Sequence, residues 1–178
     1  MYRTQRIIFY FLILIAGAAW IILSAETSST SSEISAPQVG FFAPDFTLNG
    51  MDRKLYTLSE FRGKAVLINL WATWCPPCRA EMPAIENIYQ EFKDQGFVVF
   101  AINATIQDDV SAIAPFLKKY SLTFPVLVDE TGSVSTAYKL QSLPSSYFID
   151  RKGVVQEVII GGPMSEALLR TRVEQILK

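Results

Sequence analysis

The spacing Cys75-Pro76-Pro77-Cys78 constrains this chain more than any other feature, because it holds the only two cysteines and sits between an apolar run and an amphipathic one. Val66-Leu67-Ile68-Asn69-Leu70-Trp71 is short, apolar and rich in β-branched residues, which predicts a buried strand. Over about 75–95, Ile85, Ile88, Tyr89 and Phe92 recur at helical spacing, which predicts a helix with one face on a sheet. The cysteines therefore fall where a strand turns into a helix. Free N–H groups and the positive end of the helix dipole favour a thiolate on Cys75, and a two-residue spacer lets Cys78 close a disulfide on it. A pair of inert structural cysteines is the plainer reading, but buried cysteines seldom take this spacing at a helix start. Cys75, ahead of the helix, is expected to be the exposed attacking thiol; Cys78, inside the first turn, is expected to be the buried resolving one. Pro76 and Pro77 have no N–H to offer the Cys75 sulfur, so the nearest amide donor in the motif is that of Cys78. Weak thiolate stabilisation makes a reducing rather than an oxidising pair.

Composition removes competing chemistries. The chain has no histidine, which excludes Ser-His-Asp and Cys-His catalysis and the usual imidazole ligands. Two cysteines cannot close a structural zinc site, so neither a metal nor a cofactor is expected. Lys plus Arg number 16 against 17 for Asp plus Glu, a balance that gives no case for nucleic acid. No internal repeat, Gly-rich phosphate loop or basic stripe is present.

The 178 residues allow one domain and a tail. Arg3 and Arg6 precede residues 7–23, which carry no charge and approach the roughly 17-residue lower limit for spanning a bilayer. The arginines place the N-terminus in the cytoplasm and the remainder outside it. A cleaved signal peptide is the competing reading, since Ala16-Gly17-Ala18 is an A-x-A match. The apolar run continues through Trp20-Ile21-Ile22-Leu23, however, and its length favours an uncleaved single-pass anchor in the cell membrane. Residues 1–23 are thus read as stub and transmembrane anchor, 24–39 as a flexible Ser/Thr-rich linker, and 40–178 as the folded domain.

That domain is expected to open with a hairpin, Asp45-Phe46-Thr47-Leu48 and Lys54-Leu55-Tyr56 about a turn at Asn49-Gly50. A short helical turn ending at Gly63 follows. Phe97-Val98-Val99-Phe100-Ala101-Ile102-Asn103 reads as a second interior strand, parallel to the first. Val110, Ile113, Leu117 and Tyr120 mark a helix into which Pro115 fits poorly: either the helix starts near Ser111 or it kinks at the proline. Pro125 to Asp129 is a third strand. Ser145-Ser146-Tyr147-Phe148-Ile149 and the apolar run from Val154 to Ile160 form an antiparallel hairpin, and Ser165 caps a last helix. Parallel strands first, antiparallel strands last and helices on both faces make a thioredoxin-like α/β fold.

Leu70-Trp71-Ala72-Thr73-Trp74-Cys75-Pro76-Pro77-Cys78, with Glu81 and Pro83 after it, resembles the membrane-anchored thioredoxin-like proteins of the ResA/TlpA type, many of which serve cytochrome c maturation. Ala43-Pro44-Asp45-Phe46, Gly63-Lys64, Leu143-Pro144 and Phe148-Ile149-Asp150-Arg151-Lys152-Gly153 extend the likeness over residues 40–178. The resemblance implies an N-terminal hairpin and a central βα insertion between Cys78 and Pro144. It implies that Pro144 is cis and that its strand, with Leu143, lies beside the disulfide and offers backbone groups to an extended substrate. Asn69 stands where thioredoxin carries a buried acid, so another group must take the proton of Cys78. Glu81, three residues on, is the candidate, and the resemblance places an active-site glutamate there; a solvated glutamate favoured by the helix dipole is the alternative. Trp74, Pro76 and Pro77 are candidates for the substrate surface, Trp71 for the core, and Pro83 for a kink in the helix.

The resemblance implies a thiol-disulfide reductase outside the cytoplasm. Its expected partners are a protein disulfide, that of an apocytochrome c haem site, and a membrane thiol electron donor; a monomer is expected. An oxidase or isomerase of exported proteins is the enzymatic alternative. A peroxidase of the peroxiredoxin class shares the fold but sets its cysteine in P-x-x-x-T-x-x-C, which is absent here. A copper-delivering module also uses this fold, and normally needs the histidine this chain lacks.

Overall fold

A computed structural model describes residues 35–178, with Tyr2, Ile13 and Ile15 as isolated positions before them. The expected anchor over 7–23, its Ala16-Gly17-Ala18 alternative and the linker up to residue 34 otherwise lie outside the described residues. Among the described residues no helix is long and apolar enough to cross a membrane. Residues 35–42 form a tight turn in which Ala36 N–H donates to the Phe42 carbonyl (2.9 Å) and Gly40 N–H to that of Val155 (2.8 Å).

Seven strands among the described residues make one sheet: β1 (Thr47–Gly50), β2 (Leu55–Thr57), β3 (Ala65–Trp71), β4 (Phe97–Asn103), β5 (Val126–Val128), β6 (Ser145–Ile149) and β7 (Val155–Ile160), in the order β2-β1-β5-β4-β3-β6-β7. Four α-helices accompany it: α1 (Pro76–Phe92), α2 (Val110–Tyr120), α3 (Ser133–Ala137) and α4 (Glu166–Ile176). β3 lies inside the sheet, parallel to β4 and antiparallel to β6, and every one of its residues is buried, as a continuous apolar run between two covered faces must be. Its side chains alternate. Ala65, Leu67 and Trp71 join a core with Ile85, Ile88 and Phe92 of α1 and Leu169, Val173 and Ile176 of α4. Val66, Ile68 and Leu70 join Phe46, Phe100 and Tyr138 in a second core on the other face. Asn69 shares the parity of Leu67 and Trp71, so the alternation drives an amide into the core on the α1 side, fully buried.

The thioredoxin-like α/β fold and its N-terminal hairpin are present, with particular differences. The hairpin turns at residues 51–54 and not at Asn49-Gly50. Asn49 and Gly50 are engaged on their far side with Val128 and Leu127 of β5, while Asp52 accepts from Lys54 N–H (3.1 Å) and Tyr56 O–H (2.9 Å) and so closes the loop two residues later. α2 starts at Val110, one residue from the expected start near Ser111, with Asp109 as its cap, and Pro115 lies inside it, in the second turn. α3 has no counterpart in the periodicity. α1 continues through Pro83 to Phe92. The Leu143–Pro144 bond is cis, as the resemblance implied, and Gly162–Pro163 is a second cis bond.

Candidate active site

α1 begins at the disulfide. Cys75 has extended backbone and caps the helix, and Pro76 and Pro77 occupy its first positions, where an N–H has no partner to lose. Cys75 and Cys78 are joined, with Cα atoms 5.3 Å apart. The Cys78 N–H donates to Cys75 Sγ at 3.3 Å, the single amide that counting donors in the motif leaves available. In this oxidised form the attacking cysteine is not exposed as expected: Cys75 is 2% accessible and Cys78 0%. What separates the two is that Cys75, not Cys78, lines a cleft of about 340 Å³.

Trp74, Pro76, Pro77 and Leu143 line the same cleft, together with Gln107 and Leu140. Trp74 is 54% exposed, and its ring is fixed by Nε1 donating to the Gln107 carbonyl at 2.7 Å. Trp71 is buried and tilted against Phe116, a core residue as expected. Pro144 is buried and does not reach the cleft, and its carbonyl is taken by the Gly161 N–H (2.8 Å). The backbone groups of Leu143, like those of Gln141 and Ser142 beside it in the cleft, have no backbone partner among the described residues.

Glu81 is fully buried, which rules out a solvated helix residue. Its Oε1 accepts from Asn69 Nδ2 (2.8 Å) and its Oε2 from Met164 N–H (3.0 Å). Burial pushes the carboxyl up, and these two hydrogen bonds offset only part of that, so Glu81 stays above the usual carboxylate range. It holds a proton more readily than a surface glutamate, as a group that takes and returns protons must. A Cβ at Gly162 would come within 2.7 Å of Glu81 Oε2 and 2.8 Å of the Pro144 ring, so only glycine lets the cis-proline loop, α1 and the segment after β7 converge here.

Three contributors were not foreseen. Gly162 has no place in the strand and helix periods, although Gly161-Gly162-Pro163 marks an unusual backbone. Ser146 appeared only as a strand residue; its Oγ accepts from Asn69 Nδ2 at 3.0 Å. Asp108 stands with Asp109 in an acidic pair just before α2. It accepts from Thr73 N–H (2.5 Å), Thr73 O–H (2.5 Å), Asn103 Nδ2 (2.8 Å) and Asp109 N–H (2.9 Å), tying the loop after β4 to the residues that lead into Cys75. Burial pushes its carboxyl up, but these donors outweigh burial and hold it below the usual carboxylate value. The pairing of Asp108 and Asp109 was the available signal: one acid suffices to cap α2, and the other needs a separate role.

Residues 39–158 match the AhpC/TSA family. The thiol-disulfide oxidoreductase ResA of Geobacillus kaustophilus (strain HTA426) is 34% identical over 170 residues, 96% of each chain. The thioredoxin-like protein YneN of Bacillus subtilis (strain 168) is 41% identical over 125 residues, 70% of this chain and 72% of that one. Among solved structures, a putative thiol:disulfide interchange protein DsbE from Chlorobium tepidum superposes with a TM-score of 0.72 at 30% identity, covering 79% of this chain and 99% of that one.

Proposed function

The chain belongs to the AhpC/TSA family and is a thiol-disulfide oxidoreductase of the ResA type, and we propose that it works as a reductase, tethered by residues 7–23 with its domain outside the cytoplasm. The observation that carries the direction is the single amide on Cys75 Sγ: with Pro76 and Pro77 beside it, the thiolate has one N–H donor where a helix start can supply more. A less stabilised thiolate corresponds to a lower potential, nearer thioredoxin's at about −270 mV than the strong oxidant DsbA's at about −120 mV.

Reduced Cys75 attacks one sulfur of a partner disulfide, forming a mixed disulfide and releasing the partner's other sulfur as a thiolate, which takes a proton from water. Cys78 gives its proton to Glu81 and attacks Cys75 Sγ. The Cys75–Cys78 bond forms, the mixed bond breaks, and the second partner thiolate leaves and is protonated. Two electrons pass to the partner, and a membrane thiol donor returns two to the enzyme. Leu143 offers an extended segment its open backbone groups beside the cleft, a docking mode that suits the haem-site cysteines of an apocytochrome c.

Trapping on Cys78→Ser in membranes tests substrate and topology together. Mixed disulfides through Cys75 with apocytochrome c are expected. Capture of folding exported proteins instead, together with a potential near DsbA's, would replace this reading with an oxidase or isomerase.

A further inference from the structure

Asn69 is fully buried on β3, and its amide is only half used. Nδ2 donates to Glu81 Oε1 at 2.8 Å and to Ser146 Oγ at 3.0 Å, while Oδ1 has no partner among the described residues. A buried carbonyl oxygen left without a donor is destabilising, so its presence in the interior of the domain calls for a reason.

The reason lies in what Glu81 can offer in its two states. An ionised carboxylate only accepts, so the Nδ2 end of the amide must face it. A protonated carboxyl has an O–H to give, and then the Oδ1 end must face it. A half-turn about the Cβ–Cγ bond exchanges the two ends within almost the same shape. Two neighbours suit either arrangement, since the Ser146 hydroxyl accepts from Nδ2 or donates to Oδ1 and the Met164 N–H donates to Glu81 Oε2 throughout, while the far end of the amide is without a partner in both. No charged side chain from β3, β6 or the segment after β7 bonds to Glu81 among the described residues, so this amide is the neighbour that distinguishes the two states.

We propose that Asn69 is a positioning residue whose side-chain amide turns over each time Glu81 gains or loses a proton, so that the buried carboxyl is hydrogen-bonded in both states, with Ser146 following. In its timing this rests on the reading of Glu81 as the base for Cys78. When that proton arrives on Glu81, the new O–H donates to Asn69 Oδ1; when it leaves, Nδ2 returns. No proton passes to Asn69 itself. The same logic accounts for an amide at this position. An aspartate would place two ionisable carboxyls against each other, and an apolar residue would serve neither state.

The full-length oxidised protein, labelled with ¹⁵N and ¹³C, tests this directly. As the Glu81 carboxyl carbon titrates, the contact between the Asn69 amide protons and the Ser146 side chain should weaken with the same midpoint. A contact that persists through the titration, or a carboxyl that does not titrate, overturns the proposal. Asn69→Leu removes the donor to the charged form and the acceptor for the neutral form together, so it should move that midpoint only a little. A rise of more than about one pH unit in Asn69→Leu is what a fixed donor would give, and also overturns it. The base reading fails separately, if Glu81→Gln exchanges disulfides at the parent rate while the amide still turns.

Discussion

Two carboxylates flank the disulfide and have opposite acidities. Asp108, half-buried on the Cys75 side, receives four hydrogen bonds and is held below the ordinary carboxylate range; Glu81, fully buried on the Cys78 side, receives two and is held above it. Burial acts on both in the same direction but more deeply at Glu81, so the balance of burial against fixed donors decides the sign. The difference separates two tasks. A permanently charged Asp108 serves as an anchor that fixes Thr73, and through the Gln107 carbonyl also Trp74, at the mouth of the cleft. A carboxyl that can change state suits the proposed role of Glu81 as a proton store.

Cys75→Ser sets the scale by abolishing turnover, whereas Cys78→Ser should accumulate mixed disulfides; trapping through Cys78 instead would reverse the assignment of attacker and resolver. Next in size is the proton store. Glu81→Gln should slow exchange by roughly 10²-fold, the low end for general acid–base groups, and remove one inflection from the pH profile of Cys75 alkylation. A parent-like rate and profile would leave the comparison with one working carboxylate. The anchor should behave differently. Asp108→Asn should leave the shape of that profile unchanged while raising KM several-fold by loosening Trp74; a changed inflection with unchanged KM would show that Asp108 belongs to the proton chemistry.

How much of this was legible differs between the two sides. Glu81 could be found from sequence because its relation to Cys78 is local: three residues along a helix fix the face. The strand-to-helix junction was legible for the same reason, since a run such as Val66-Leu67-Ile68 and the spacing of Ile85, Ile88 and Phe92 carry their own periods. Asp108 bonds to Thr73, far away in the chain, and no period encodes that contact. α3 escaped for a related reason. Ser133-Val134-Ser135-Thr136-Ala137 has no helical stripe and weak propensity, and its first turn is organised by buried Asp129, which accepts from Val134 N–H (3.2 Å) and Ser135 N–H (2.7 Å). The Asn49-Gly50 turn failed because pairing with β5 claims those residues, a tertiary demand that overrides local turn preference.

The smallest effect is on stability, and it tests the comparison most closely because the same chemical change is made on both sides. In Asp108→Asn, each oxygen accepts at least one N–H, so an NH₂ in either place meets a donor; the loss should be about 2–3 kcal/mol near neutral pH. In Glu81→Gln the new NH₂ can face Asn69 once that amide turns, while the remaining oxygen keeps the Met164 N–H, so little should be lost. The pH dependences should then run in opposite directions. Asp108 has its carboxyl lowered by folding, so its contribution is present above the ordinary value of 3.8 and disappears as pH falls through the still lower folded value. The gap between parent and Asp108→Asn should therefore narrow in acid. Glu81 has its carboxyl raised, so its contribution is present below 4.5 and is lost as pH climbs from there through the higher folded value. Glu81→Gln, which does not ionise, should gain on the parent over that rise. Denaturant midpoints of the oxidised proteins across pH 3 to 8 measure both slopes, and two slopes of the same sign would show that burial, not donor number, governs the pair.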